Sequence, residues 1–338
     1  MECTDRYQEP LARELTAAGL FVSAVNPKLI CHYRDEGNSL HRVKSDKADS
    51  LKIARDTLDR WTTLKQYGFM DEIRNQLKIR NRQFIFYTKH KTAMKNNLIT
   101  LPDQTYPGVN AYFDSPARPD GNQKWVDFAS TYWHVDCVRK MSLRAFTEHD
   151  RKWCSLKGYH FHKTKAEEIY GAAKELLPIL PKDDFTRSIV KQAAEQLYTV
   201  SRTIEEFRSL MNQTAAQLPK YPVVMAMKGV GPSPGPQLIA EIGDVTRFTH
   251  RNAITAFAGV DPGVTESGTY IRKSVRASKH SSPALRKTLF QVMDVLIRTK
   301  PQDDPVYLFM DKKRAQGKPY YVYMTPERTS FFGFITDG

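Results

Sequence analysis

Apolar residues along the chain recur mostly at helical spacing. Tyr7 to Ala18 predicts a helix, with Pro10 in its first turn and Gly19 as its stop. Phe21-Val22-Ser23-Ala24-Val25-Asn26 predicts a buried strand, ended by Pro27. A short helix and a polar loop around Gly37 follow. A further helix is then expected from Ser45, a residue suited to an N-cap. It carries Asp46 and Asp49, then Ile53, Ala54, Leu58 and Trp61 on its expected buried side. Helix–strand–helix alternation predicts an α/β layer containing a sheet. Residues 71–99 predict a basic amphipathic helix that carries Arg74, Lys78, Arg80, Arg82, Lys89, Lys91 and Lys95. Such a face is either solvated or laid against a nucleic-acid backbone.

Prolines 102, 107, 116 and 119, with Gly108 and Gly121, mark 101–122 as a loop or excursion. A helical region with many aromatics follows (Trp125, Phe128, Tyr132, Trp133, Trp153, Tyr159, Phe161), read as core rather than as base-stacking platforms. His160 and His162 stand two apart without nearby ligand partners, so no metal site is expected there. Ile189, Ala193, Leu197, Val200, Ile204, Phe207, Met211 and Leu218 form a seam with a period near 3.5 residues, the coiled-coil spacing. Packing within the chain and dimerisation both fit that seam.

Beyond Leu218-Pro219 the pattern becomes a set of short helices. Pro232 would be acceptable at a first helical position, but Pro234 and Pro236 would not fit inside a helix, which places the next start near Pro236 and its stop at Gly243. Further helices are expected from a Thr249 cap to Phe257, from Ser282-Pro283, and from Asp304-Pro305 to Gly317. The third of these four has an apolar face of Leu285, Leu289, Val292, Met293 and Leu296.

Composition narrows the class of partner. The 338 residues suffice for two or three compact units. Lys and Arg number 51 against 37 Asp and Glu, a net charge of +14, with a pI near 9.5. That surplus favours a polyanion, and nucleic acid is the commonest soluble one. A membrane is disfavoured, because no apolar run approaches the roughly 18 residues of a spanning helix. The N-terminus MECTDRYQEP is no secretory signal. Cys3, Cys31, Cys137 and Cys154 form no C-x-x-C pair, which fits reduced thiols in a cytoplasmic protein.

Three features then gather within residues 221–298. Gly229-Val230-Gly231 is a Gly-x-Gly hairpin able to turn backbone N–H groups toward a phosphate, although the prolines after it remove donors. Ser267 lies in a Glu-Ser-Gly-Thr loop, where glycine permits close approach of a substrate backbone. Residues 271–287 hold Arg272, Lys273, Arg276, Lys279, Arg286 and Lys287 and no acid. Taken singly, these are a turn, a surface serine and a solvated face; together they point to chemistry on nucleic acid.

Their order, GVGP…LIAEIGD…AFAGVDP…ESGT…LRKTLF, resembles the C-terminal transposase domain of the insertion-sequence 110 family. The resemblance implies a site-specific DNA recombinase of a prokaryotic mobile element, guided by a structured RNA and helix-hairpin-helix-like in this domain. The family's nucleophile is the serine of P-x(4)-S-G, which here falls on Ser267 of Pro262-Gly263-Val264-Thr265-Glu266-Ser267-Gly268. Gly229, Gly231, Arg272, Lys273, Arg276, Lys279 and Arg286 become the expected DNA contacts. The tail Tyr320-Tyr321-Val322-Tyr323-Met324 still resembles the family, and the resemblance stops after Met324.

The N-terminal V-x-x-V-N-P and V-K-S-D-K-A-D-S-x-x-I-A resemble the same family's RuvC-like half, which is RNase H-like and binds Mg²⁺ or Mn²⁺ through an Asp-Glu-Asp-Asp set. Glu2 matches the glutamate, and Asp46 and Asp49 match the last two aspartates. From the residues alone, Asp46 and Asp49 share one helix face and are either dipole partners or metal ligands. Asp5 replaces the family's glycine, and the opening Gly-x-Asp strand is missing. The resemblance therefore also implies a copy truncated at its start and divergent at its end, poorly soluble and recombinationally inactive.

The expected organisation is 1–100 partial RuvC-like domain, 101–184 helical excursion, 185–220 coiled-coil helix, 221–324 transposase domain and 325–338 divergent tail. The family joins its halves by a coiled coil, which favours the dimerising seam and a homo-oligomer, dimer or tetramer, associated with the nucleoid. Two other readings fit the same residues: a metal-dependent nuclease or junction resolvase in which Ser267 is incidental, and a non-catalytic nucleic-acid-binding remnant.

Overall fold

The computed structural model describes residues 1–3, 7–30, 45–114, 116–118, 120–248, 250–260, 266–267, 270–271 and 282–324. It divides into two compact units, Met1–Met70 and Asp71–Gly338. Its described residues are predominantly helical.

In the first unit α1 (Gln8–Ala17), α2 (Pro27–Ile30) and α3 (Asp46–Arg60) surround one extended segment. Glu2 pairs in parallel with Val25, through Cys3 N–H to Val25 C=O and Val25 N–H to Met1 C=O, both 2.9 Å. On the other side Tyr67 N–H donates to Val22 C=O at 2.7 Å. The strand expected at 21–26 is thus, among the described residues, a single bridge, and the larger sheet of an α/β layer is not seen there. The face expected for α3 also needs correcting. Leu58 and Trp61 are 75% and 70% exposed, whereas Asp56 is buried and ion-paired with Arg60 one turn on. Ile53, Asp56 and Thr57 line a cavity of about 110 Å3 with Val25 and Ile30, so α3 is rotated to turn this mixed face inward.

The second unit is built on two long helices, α4 (Glu72–Thr105) and α9 (Asp184–Ala215). They run antiparallel: Arg80 bonds Thr214, Tyr87 stacks on Phe207, and Leu98 shares a cluster with Leu197. The seam read from the sequence forms, but Leu197, Val200, Ile204 and Met211 are buried within this chain. A 3.5-residue period specifies an apolar stripe, not which helix covers it. Here α4 and the C-terminal helices cover it. α4 also runs on through Pro102, which the sequence reading assigned to a loop.

Between α4 and α9 the excursion folds as α5 (Lys124–Thr131), α6 (Asp136–Arg139), α7 (Leu143–Lys157) and α8 (Lys163–Glu175). Its core is Phe128, Tyr132, Val138, Phe146, Trp153 and Ile169, so most of the expected aromatics are interior. Gly121 (φ +83°) lets this excursion touch α9, since a Cβ there would lie 2.8 Å from Ser201 Cβ.

α10 (Tyr221–Ala226), α11 (Pro234–Ile242), α12 (Arg251–Ala258), α13 (Pro283–Thr299), α14 (Pro305–Ala315) and α15 (Tyr320–Tyr323) complete the unit. All five apolar residues expected on α13 are buried. Ser282 accepts from Leu285 N–H at 3.2 Å and Asp304 from Tyr307 N–H at 2.7 Å, capping α13 and α14 as their sequences imply. Two boundaries differ. α11 starts at Pro234, because prolines at the first and third helical positions remove N–H groups that have no intrahelical acceptor. α12 is capped by His250, whose Nδ1 accepts from Ala253 N–H at 3.2 Å; Thr249 lies outside the described residues.

Candidate functional site

Ser267 stands on a hairpin between α12 and α13. β1 (Glu266–Ser267) pairs antiparallel with β2 (Tyr270–Ile271), in the register Glu266–Ile271 and Ser267–Tyr270. The Ser267 side chain lies outside the described residues, as do Arg272, Lys273, Arg276, Lys279 and the tail 325–338.

Both flanks of this segment are anchored in the core. Upstream, α12 ends at Gly259 in the left-handed conformation (φ +64°), where its missing side chain avoids strain. Arg286 donates to Ala258 C=O at 3.0 Å. It thereby places a cation at the negative end of α12. Downstream, the Ser282 hydroxyl donates to Glu241 Oε2 at 2.8 Å while capping α13.

Glu241 was not singled out from the sequence. Its carboxylate, 2% exposed, also accepts from Asn81 Nδ2 at 2.7 Å and from Arg82 at 3.2 Å. Asn81 Oδ1 in turn accepts from Gln237 at 3.3 Å. One buried acid therefore ties α4, α11 and the start of α13 together. The available signal was an acidic residue inside the apolar run Leu238-Ile239-Ala240-Glu241-Ile242.

The Gly-x-Gly hairpin has a packing role. Gly229 (φ +79°) abuts α13, where a Cβ would lie 3.0 Å from Val292 C=O and 2.9 Å from Leu296 Cγ. Gly231 has open space around its Cα, but its carbonyl accepts from Gly235 N–H at 3.0 Å. With prolines at 234 and 236, the first turn of α11 offers a phosphate no free N–H. Any grip by Gly229 and Gly231 draws nothing from it. Part of the α4 basic stripe is also engaged internally: Arg74 with Asp71, Arg80 with Thr214, Arg82 with Glu241. Lys89 and Lys95 are exposed.

In the first unit Asp46 is exposed and Asp49 is half-buried, ion-paired with Lys52 at 3.2 Å. Both lie in the first turn of α3, on one face, and Glu2 sits on the bridged N-terminal segment. Among the described residues no three His, Cys, Asp or Glu side chains come close enough to hold a metal. Asp46 and Asp49 suit a hard cation that takes one or two carboxylates plus substrate oxygens, but the three-donor set with Glu2 is not assembled. Cys3, Cys137 and Cys154 are free thiols. No helix among the described residues is long and apolar enough to cross a membrane.

Comparison with known proteins matches both ends of the chain. Residues 221–308 match the family described as "Transposase IS116/IS110/IS902 family". Residues 1–107 match the IS110-type DEDD family described as "Transposase". The "Insertion element IS110 uncharacterized 43.6 kDa protein" of Streptomyces coelicolor is 23% identical over 300 residues, 88% of this chain and 71% of that protein. The "Insertion element IS116 uncharacterized 44.8 kDa protein" of Streptomyces clavuligerus is 22% identical over 325 residues, 93% of this chain and 78% of that protein.

Proposed function

Because the chain belongs to the IS110 family of insertion-element transposases, we propose that it recombines DNA through Ser267 as a covalent nucleophile. The family assignment makes it a DNA transposase and carries a general expectation of divalent-metal dependence. The observation that carries the finer reading is the place of Ser267. It lies in the matched C-terminal stretch, on a hairpin strand whose flanks are fixed by Gly259, Arg286 and Ser282.

The Ser267 hydroxyl attacks a backbone phosphorus; a Ser Oγ–P bond forms as the P–O bond to one strand end breaks. The serine proton passes to solvent or a nearby base, and the departing end takes a proton as a free hydroxyl. Attack by a hydroxyl from another strand reverses the step, so the phosphodiester is conserved and no ATP is needed. Arg272, Lys273, Arg276 and Lys279 neutralise the phosphate as charge builds on it. A bound Mg²⁺ or Mn²⁺ would supply Lewis-acid polarisation of the phosphate. Asp46 and Asp49 would hold it, with Glu2 as the further carboxylate, although the three do not gather in this structure. A guide RNA selects the target by base pairing. Joining two duplexes requires at least two nucleophiles, hence a homo-oligomer, assembled through a surface other than the α4–α9 seam.

The test is a denaturing gel of end-labelled element DNA incubated with the protein and Mg²⁺. Wild type should give a protein–DNA adduct, and Ser267→Ala none; a wild type without adduct would instead bear out the inactive copy that the sequence resemblance implies. Duplex affinity should stay nearly unchanged in that variant, since one neutral hydroxyl adds little to phosphate neutralisation. Asp46→Asn and Asp49→Asn should lose the adduct without unfolding. An undiminished adduct in Ser267→Ala removes the serine from this role, and cut DNA without adduct indicates hydrolysis.

A further inference from the structure

The excursion between α4 and α9 contains a cavity of about 400 Å3 that the proposed reaction does not use. That size lies within the roughly 300–1,000 Å3 of small-molecule sites. Its walls include the aromatic rings of Tyr112, Phe113 and Tyr159, and Lys124 and Lys165 stand among them. Lys124 Nζ lies 4.8 Å from the Phe113 ring centre and donates to His160 C=O at 2.8 Å. Lys165 Nζ is 5.9 Å from the Tyr112 ring centre, and the Arg118 guanidinium stacks 3.9 Å from that of Tyr159.

Asp150, from α7, also lines this cavity and is only 6% exposed. Its Oδ1 is buried without a hydrogen-bond partner in the protein. Burial pushes its carboxyl up to about 6, with Lys124 and His149 opposing. An unsatisfied buried acceptor costs about 1–3 kcal/mol, and a charged one more. A ligand donor entering the cavity would satisfy this oxygen.

The chemistry of the lining selects among ligands. An inorganic phosphate would meet the carboxylate and leave the rings unused. A cationic peptide would meet Lys124 and Lys165. A metal ion lacks three donors here. A nucleotide uses the rings, the acid and a lysine together: a flat base against the rings, an N–H edge on Asp150, and a phosphate beside Lys165, whose ammonium also pairs with Glu168 at 3.0 Å.

We propose that this cavity holds one unstacked nucleotide of a single-stranded nucleic acid, its base donating an exocyclic amino N–H to Asp150. The proposal rests on the nucleic-acid reading given above and adds a site to it. Cytosine offers such an N–H. Thymine's ring N–H is flanked by two carbonyl oxygens that repel a carboxylate, so the site distinguishes pyrimidines of similar size.

The test is fluorescence anisotropy of the full chain with labelled 12-mers of dC, dT, rC and rU, and with a mixed-sequence duplex. Wild type should prefer dC over dT, or rC over rU, by about tenfold, the equivalent of one hydrogen bond to a charged acceptor. Asp150→Asn should bring the ratio to within about twofold with duplex affinity retained, because an amide can turn its oxygen to cytosine's amino group or its N–H to thymine's carbonyl. Lys165→Gln should weaken all single strands alike and leave the ratio unchanged. Photocross-linking with 5-iodo-dC and 5-iodo-rC should label peptides within 112–124 or 159–165. Tighter ribo-oligomers would assign the pocket to the guide, tighter deoxy-oligomers to a DNA strand. Absent discrimination, a ratio untouched by Asp150→Asn, or cross-links confined elsewhere would overturn the pocket assignment while duplex binding still stood. Binding of neither duplex nor single strands would instead remove the nucleic-acid reading itself.

Discussion

Replacing Glu241 with Ala should destabilise the second unit by about 3 kcal/mol, and the sum can be worked from its partners. Asn81 is fully buried, so its Nδ2 would lose a 2.7 Å bond with no water to replace it, about 2 kcal/mol. Arg82 is 46% exposed and can rehydrate, so its 3.2 Å ion pair adds little. Ser282 would lose its 2.8 Å acceptor but keep the Leu285 N–H bond that caps α13, which adds about 1 kcal/mol. The measurement is urea unfolding followed by tryptophan fluorescence, combined with Ser282→Ala in a double-mutant cycle. A coupling near 1 kcal/mol is expected between these directly bonded residues. A loss below about 0.5 kcal/mol would refute the view that this carboxylate ties the three helices together, since surface substitutions fall in that range. Glu241→Gln should keep most of the stability, because the amide oxygen can still accept from Asn81 while Ser282 and Arg82 lose a charged partner.

Two further outcomes follow from burial. Leu197→Asp, placed in the seam between α9 and α4, should unfold the second unit rather than yield a folded monomer, because it buries an unpaired charge where a leucine contributed about 2 kcal/mol; a folded variant of lower mass by light scattering would show that the seam pairs between chains. Asp150 titrates at about 6 in the fold against an ordinary 3.8, so the protonated form is favoured on folding. The stability this contributes is complete below about pH 4 and is lost as pH rises through about 6, on the order of 3 kcal/mol. Asp150→Asn should therefore exceed wild type in thermal stability at pH 8 and lose that advantage at pH 4; equal melting curves at both pH values would contradict the burial argument.

Features set by neighbours in sequence were the legible ones. The caps Ser282 and Asp304, the stop at Gly259 and the five-residue apolar face of α13 all follow from local chemistry. The long helices α4 and α9 were legible as helices, but their pairing was not, because an apolar stripe carries no address. The α3 face misled because its inward side includes Asp56, a charge neutralised only once Arg60 sits one turn away. The Glu241 network joins residues about 160 positions apart, which no window of sequence displays. Similarly, the Asp150 cavity gathers rings from the loops after α4 and before α8, an acid from α7 and cations from α5 and α8. The C-terminal family stretch was legible through its ordered motif.

The proposed role of Ser267 as a nucleophile requires that the fold hold its hairpin in place. Catalysis by alignment needs the reacting oxygen held within about half an ångström, and a loop meets that only when its supports are rigid. Here Arg286 and Gly259 fix the chain just before the serine segment, and Ser282 fixes it just after, with Arg286 and Ser282 both at the start of α13. α13 itself is locked by five buried apolar residues and by the close approach of Gly229. The two ends of the segment are thus referred to a single helix terminus, and the Glu241 carboxylate connects that terminus to α4. On this view Arg286 counts among the supports of the serine hairpin, because its 3.0 Å bond to Ala258 places it on the protein side of the site.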